Sequence, residues 1–343
     1  MIPYIFFVIL ILWFRHNRSP ILIYVTLVLF NVLRYDTGWD YMSYINEVEY
    51  WGSIGSNMMR YSIIWQCLFE CTQKINMPHI AIAIPGFLTV TIVYFVVNAL
   101  QKDKGLICEI LSIYAFWPYF FLGSFSTIRQ SLGIAIGLLI LYCAIKKKLV
   151  WFIIFLIVNY LVHPSSVVCV CYAAFFLPNF RLKIWHMTVI LTIIVVALFS
   201  INLIIQNSPF VIYESYLSAH DSYGSKLSIL LFIILIPTLL LRNKNIDNQG
   251  IIDICIMALI LMIITFLSLR ISVVSRIVDY FIILLIFVAP SFKYLFSNKI
   301  LGRSMVILAF VSVFFFYLIS TKGAASQGLA ASPFVPYRFI FIR

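Results

Sequence analysis

Charge is scarce in this chain. Only 10% of its 343 residues are Asp, Glu, Lys or Arg, and just 12 are acidic. A soluble domain carries about a quarter charged residues, so an ordinary water-soluble fold is excluded. Disorder is excluded by the apolar content of 63%, because disordered chains lack the aliphatic residues that bury surface. The signatures of several chemistries are missing too. No G-x-x-x-x-G-K-[ST], G-x-S-x-G or H-E-x-x-H occurs. D-x-D is also absent, which leaves no positive case for a metal. The seven cysteines show no zinc-ribbon spacing. Cys67 and Cys71 stand four apart on an expected helix and read as inert core thiols. No basic stretch precedes the first apolar run and no small-residue cleavage site follows it, so no cleavable signal peptide is expected.

What is present is apolar sequence in runs. The expected membrane spans are 2–14, 21–33, 79–100, 106–122, 128–145, 149–163, 165–180, 184–205, 227–241, 251–269, 277–296 and 304–320. A span needs ~20 residues to cross ~30 Å of hydrocarbon, and several of these are shorter, so their ends must extend or the bilayer must thin. The fold expected is all-α: residues 1–343 as one integral membrane domain of about twelve spans. Its larger outer loops are 34–78 and 206–226.

The net charge of +12 would suggest nucleic acid in a soluble protein. In a membrane protein, Lys and Arg in short loops set orientation instead, and no nucleic-acid partner is expected. Fourteen of the 24 basic residues fall on one side, nine of them lysine, including Arg15, Lys146-Lys147-Lys148, Arg242 and Arg303. That side is assigned to the cytoplasm, with both termini outside. The other side holds ten, of which seven are arginine: Arg34, Arg60, Arg129, Arg270, Arg276, Arg338 and Arg343. Orientation needs only charge, whereas arginine's planar fork binds phosphate bidentately. The outer loops are also rich in Tyr, Trp, Asp and Asn. That composition suits carbohydrate binding and equally an interfacial aromatic belt. Residues 61–77 are amphipathic and read as a helix lying along the outer interface. The alternative is a thirteenth span with reversed downstream topology.

Four outer clusters are candidates for chemistry. The first is Arg34-Tyr35-Asp36-Thr37-Gly38-Trp39-Asp40-Tyr41-Met42-Ser43-Tyr44, where Gly38 permits a turn folding Asp40 back towards Arg34. In the second, Ser126 or Thr127 can cap the fifth span, leaving Arg129 in its first turn beside Gln130. A cation there is unfavourable with the helix dipole, which implies a compensating anion unless Arg129 merely snorkels. The third is His163-Pro164-Ser165-Ser166, with the proline breaking the chain at the outer end of the sixth span. An isolated histidine is more often a hydrogen-bonded core residue than a catalyst, but this one sits on the arginine-rich side. The other histidines, His79 and His220 among them, lie away from the arginine motifs. The fourth cluster is Arg276, Asp279 and Tyr280, where the first two are spaced to pair on one helix face or to serve a site.

In this order the clusters resemble the Wzy/EpsG-like family of bacterial polysaccharide polymerases. The matching pieces are Arg34…Gly38-x-Asp40-Tyr41-x-x-Tyr44, Ile128-Arg129-Gln130-Ser131-Leu132-Gly133, His163-Pro164-Ser165, Arg276-x-x-Asp279-Tyr280 and Pro336-Tyr337. The resemblance implies a GT-C-like membrane glycosyltransferase of the bacterial inner membrane acting at the periplasmic face. Its donor and acceptor would be oligosaccharide repeat units on undecaprenyl pyrophosphate, joined with inversion and without a cofactor. A Wzz-like chain-length regulator is the implied protein partner. Arginine forks suit a pyrophosphate leaving group, so Arg129 and Arg276 are the candidates, with Arg34 assisting. His163 is the first choice of base and Asp40 the second, and catalysis without a base remains open. Gly38, Tyr41, Tyr44, Gln130, Asp279, Tyr280 and Tyr337 are the expected substrate-binding positions. A glycan ligase or a lipid-linked-oligosaccharide flippase are the alternative readings, although no internal repeat of the transporter kind is visible.

Overall fold

A computed structural model describes residues 1–52, 61–178, 180–193, 224–244, 249–265, 272–322 and 334–341. Most of the 206–226 loop, the second half of the 184–205 span, Arg60, Arg270, His220 and Arg343 lie outside the described residues.

The chain is helical, as its apolar runs require. Helices α1 (Ile2–His16) and α2 (Pro20–Val32) each begin with proline in the first turn, where its missing N–H costs nothing. A two-residue strand β1 (Arg34–Tyr35) follows, then α3 (Tyr41–Glu49), α4 (Ile63–Lys74), α5 (Ile80–Leu100) and α6 (Lys104–Phe116). Asp103 caps α6 with both carboxylate oxygens, accepting from the Gly105 and Leu106 amides at 3.1 and 3.2 Å. A single turn, α7 (Gly123–Ser126), leads into α8 (Ile128–Ile145) and α9 (Leu149–Val162). The expected 165–180 span forms a 3₁₀ helix, Pro164–Phe176. Later helices are Ile184–Ile193, Gly224–Arg242, Gln249–Ile264, Ser272–Ile282 and Lys299–Lys322. A second short strand, β2 (Arg338–Phe339), closes the chain.

Among the described residues, four helical stretches are long and apolar enough to cross a membrane: Ile80–Leu100, Ile128–Ile145, Arg276–Leu295 and Lys299–Thr321. Seven further apolar helices, including α1, α2 and α9, are shorter. At 1.5 Å per residue, the 13 residues of α2 rise only ~20 Å. The protein is therefore an all-α membrane protein with spans of uneven length. Helix α4 is different in kind. Its 12 residues include Gln66, Glu70, Gln73 and Lys74, so unlike the short apolar helices it is amphipathic and suits an interface. It buries Trp65, Phe69 and Thr72 on one face and exposes Ile63, Cys67, Glu70 and Cys71. The expectation of inert core thiols is thus corrected at Cys67 and Cys71, because the packed face of the helix is its aromatic one.

The chain forms two compact units, Met1–Val170 with Arg303–Arg343, and Cys171–Gly302. The first has an aromatic core in which Phe7 stacks on Phe121 (5.2 Å between centroids) and meets Phe30 at 4.8 Å and Phe314 at 6.0 Å. At one end of this unit, Glu109 of α6 pairs with Arg15 of α1 at 3.8 Å and with Arg303 of the last helix. Arg34, Arg129 and His163 lie at the opposite helix ends. In the second unit, Arg242 Nε pairs with buried Asp253 at 2.8 Å, and the Leu182 amide also donates to Asp253.

Candidate functional site

Three of the four clusters meet in the first unit. Arg34 follows α2 directly and is completely buried. Its Nη1 donates to the Asn31 carbonyl at 2.5 Å and to the Asn31 side-chain oxygen. The guanidinium lies over the Phe125 ring, 4.7 Å from its centroid. Nε and Nη2 have no hydrogen-bond partner among the described residues. Burial lowers the Arg34 pKa to about 10, opposed by the nearby hydroxyls of Tyr337, Tyr41 and Tyr4.

The loop after Arg34 is docked by backbone. Gly38 has φ +108°, and a Cβ there would run into the Phe125 carbonyl. The Trp39 amide donates to Ser126 Oγ at 3.0 Å. Ser126 ends α7, and α8 begins two residues later, so this contact seats the loop next to Arg129. Ser126 therefore holds the loop, and Thr127 occupies the cap position of α8, its hydroxyl donating to the Gly123 carbonyl at 3.1 Å and lying 3.2 Å from Ser131 Oγ on the first turns of α8.

Arg129 is half-buried, with its guanidinium 4.6 Å from the centroid of the Tyr61 ring. It also hydrogen-bonds the Tyr44 hydroxyl. Burial raises the Tyr44 pKa, Arg129 pulls it down and Asp40 pushes it up, so all three share one neighbourhood. The Gly38 turn packs against Phe125 and sets Asp40 in the field of Tyr44 together with Arg129.

His163 caps the C-terminus of α9, half-buried, with Nδ1 2.6 Å from Ser165 Oγ. Helix α4 is fastened to this same helix end. Trp65 Nε1 donates to the Val162 carbonyl at 2.9 Å, and Ser62 Oγ donates to the Leu161 carbonyl. Tyr61, which carries Arg129, directly precedes Ser62. The start of α4 thus links the arginine and histidine motifs.

The fourth cluster belongs to the second unit. On helix Ser272–Ile282, Arg276 is exposed, Asp279 half-buried and Tyr280 fully buried. The Tyr280 carbonyl accepts the Tyr172 hydroxyl at 2.5 Å.

Compared with protein families, the chain matches the EpsG family over residues 17–339. It belongs to that family. The family points in general to a polysaccharide polymerase-like, glycosyltransferase-like activity on lipid-linked substrates in a membrane. No curated protein and no solved structure matches the chain.

Within this EpsG-family chain, Gln130 and Tyr337 are buried at the same end as Arg34 and Arg129, and Tyr337 donates to the Phe30 carbonyl at 2.5 Å. Tyr41 is buried as well. No group of three or more His, Cys, Asp or Glu side chains suited to a metal occurs among the described residues. Sequence reasoning passed over His79, which belongs to the site. Its Nε2 lies 2.7 Å from the Val32 carbonyl, which can only accept, so Nε2 carries the proton. Nδ1 then accepts the Tyr41 hydroxyl at 2.8 Å. Burial lowers the His79 pKa, and Arg34 lowers it further against the Val32 bond. The clue in the sequence was position: Pro78-His79 opens a long span on the arginine-rich side. Asn31 and Tyr61 were also missed, and Ser124 of the second cluster had no role assigned. Asn31 and Ser124 bond at 2.8 Å and are the polar floor beneath Arg34.

Proposed function

We propose that this protein joins oligosaccharide repeat units carried on undecaprenyl pyrophosphate, at the periplasmic face of a bacterial inner membrane. In this reading both units form one integral membrane domain of about twelve spans with GT-C-like architecture. The observation that carries it is the Asp40–Tyr44–Tyr61–Arg129 group, held at the same end as His163. An arginine gripped on one side by an aromatic face and a phenol is fixed in place, so its remaining donors are preorganised for an anion. The aromatic and carboxylate neighbours suit sugar rings and hydroxyls.

The reaction assigned to this site is a single displacement. The acceptor hydroxyl oxygen attacks the donor's anomeric carbon while the bond to pyrophosphate breaks. The bonding electrons leave with the lipid pyrophosphate, and the configuration inverts. Arg129 stabilises the charge developing on the leaving group. Arg276 shares this role on the strength of motif order, and Asp279 and Tyr280 are assigned to substrate binding. His163 removes the acceptor proton, Ser165 holding its ring, and Asp40 orients the sugar. A chain-length regulator of the Wzz type completes the assembly.

Deletion of the gene, followed by a gel of the surface glycan, tests this. Loss of a polymerase leaves single repeat units on the lipid core. Bare core would identify a ligase, and repeat units stranded inside the cell would identify a flippase.

A further inference from the structure

Among the described residues, no carboxylate pairs with Arg34, although it is completely buried. A buried cation without a counter-charge is expensive. Phe125 and Asn31 answer part of that cost, but only through the ring face and Nη1. The two idle nitrogens, Nε and Nη2, are adjacent and form the side-on edge of the fork. Their N–H bonds run parallel, the geometry that grips two oxygens of one phosphate.

The C-terminal segment 334–341 lies against that arginine's own strand, with the Tyr337 hydroxyl in its neighbourhood. The segment is anchored at Phe334 and Tyr337, whose buried rings pack against Tyr317, Tyr4 and Phe30, whereas its pairing with β1 is made of few bonds. Strand β2 pairs antiparallel with β1, opposing Arg34 to Phe339 and Tyr35 to Arg338. The Ile340 amide donates to the Leu33 carbonyl at 2.9 Å. The Tyr4 hydroxyl donates to the Phe334 carbonyl at 2.7 Å, and Tyr337 to Phe30. Arg338 meets Asp36 at 3.2 Å across an exposed pair. A two-residue ladder is marginal by itself, and an exposed ion pair contributes at most ~1 kcal/mol.

We propose that residues 334–341 are a strap that unpairs from β1, freeing the Nε–Nη2 edge of Arg34 to bind the pyrophosphate group of the lipid-linked substrate. The identity of the ligand rests on the function proposed above; the oxyanion chemistry rests on Arg34.

A reversible lock tests it. Tyr35→Cys with Arg338→Cys places two thiols on directly opposed residues, within bridging range for an antiparallel pair. The exposed Cys67, Cys71 and Cys171 are changed to Ser first. The full chain in nanodiscs of neutral lipid is titrated with undecaprenyl pyrophosphate and, separately, with inorganic pyrophosphate. Oxidation should weaken binding by about 10- to 100-fold, the loss of a charge-assisted contact, and reductant should restore it. Restored binding of both probes assigns the site to the diphosphate alone, and of the lipid only, to diphosphate plus tail. Equal binding by locked and reduced protein overturns the strap, and so does a wild-type chain that binds neither probe. If the cysteine pair does not assemble, Arg338→Ala at its exposed position should tighten binding by up to about fivefold, and unchanged affinity overturns the proposal. Polymer formation is scored separately. Reduced protein that binds pyrophosphate but joins no repeat units refutes glycosyl transfer and leaves the strap standing.

Discussion

Gly38→Ala asks whether the docked loop matters. The residue adopts φ +108°, and its added Cβ meets the Phe125 carbonyl, a backbone atom that cannot swing away. Left-handed backbone costs a non-glycine residue ~1–2 kcal/mol. Retreat from the carbonyl breaks the Trp39 N–H bond to Ser126, worth a further ~1 kcal/mol. The loop then stands off α7 by about 1 Å, a displacement that costs ~10²-fold when it moves a catalytic constellation. Gly52→Ala separates these effects. Gly52 also has a positive φ, +85°, but among the described residues nothing beyond its chain neighbours lies within 4 Å of its would-be Cβ. It therefore suffers the backbone strain without the collision. The assay is polymer length and yield on a gel, normalised to protein in the membrane. Gly38→Ala should collapse polymer to short products, whereas Gly52→Ala should stay within a few-fold of wild type. Equal behaviour of the two variants would refute the idea that the 36–40 loop builds the site through its seat on α7.

Other expectations follow from the same contacts. Arg129→Lys keeps the charge but loses the fork, and should reduce polymerisation by ~10²–10³ at normal membrane abundance; full-length polymer from this variant would make Arg129 an interfacial fixture. His163→Gln should lose ~10²–10⁴ in rate if the imidazole takes the proton, whereas an inactive Asp40→Asn beside an active His163→Gln moves the base to Asp40. Burial depresses the His79 pKa, so the folded state binds fewer protons there than the unfolded chain. Its contribution to stability is present above the ordinary histidine range near ~6.5 and is lost as pH falls below that range. Thermal unfolding in detergent at stepped pH should show this loss, and a His79→Gln variant with an unchanged acid slope would count against it. Arg242→Gln strands buried Asp253 and should destabilise the second unit by ~3–5 kcal/mol, read as protein missing from the membrane.

The helical membrane fold was legible because hydropathy is a local property. The 128–145 and 149–163 runs became helices Ile128–Ile145 and Leu149–Val162 almost residue for residue. Helix α4 also kept its amphipathic character, since a 12-residue segment with Trp65 and Phe69 on one face has one apolar surface to bury. Local pattern misled where partner identity mattered. Cys67 and Cys71 are apolar by composition, yet their helix packs by its aromatic face.

The sequence alone determined which residues are too costly to place at random in an apolar chain: Arg34, Asp40, Arg129 and His163 stood out because charge is so rare. It could not determine which of them meet. Asp40 shares the neighbourhood of Tyr44 with Arg129, and Gly38 approaches the backbone of a residue 87 positions later. His79 reaches Tyr41 across 38 residues, and Tyr337 reaches Phe30 across 307. Such contacts depend on how helix ends are brought together by packing, and no neighbouring residue encodes them. Tertiary structure also decided that Arg34 is fully buried beside the C-terminal strand, with Nε and Nη2 unpartnered among the described residues, a state that a lone arginine at the end of a span gives no sign of.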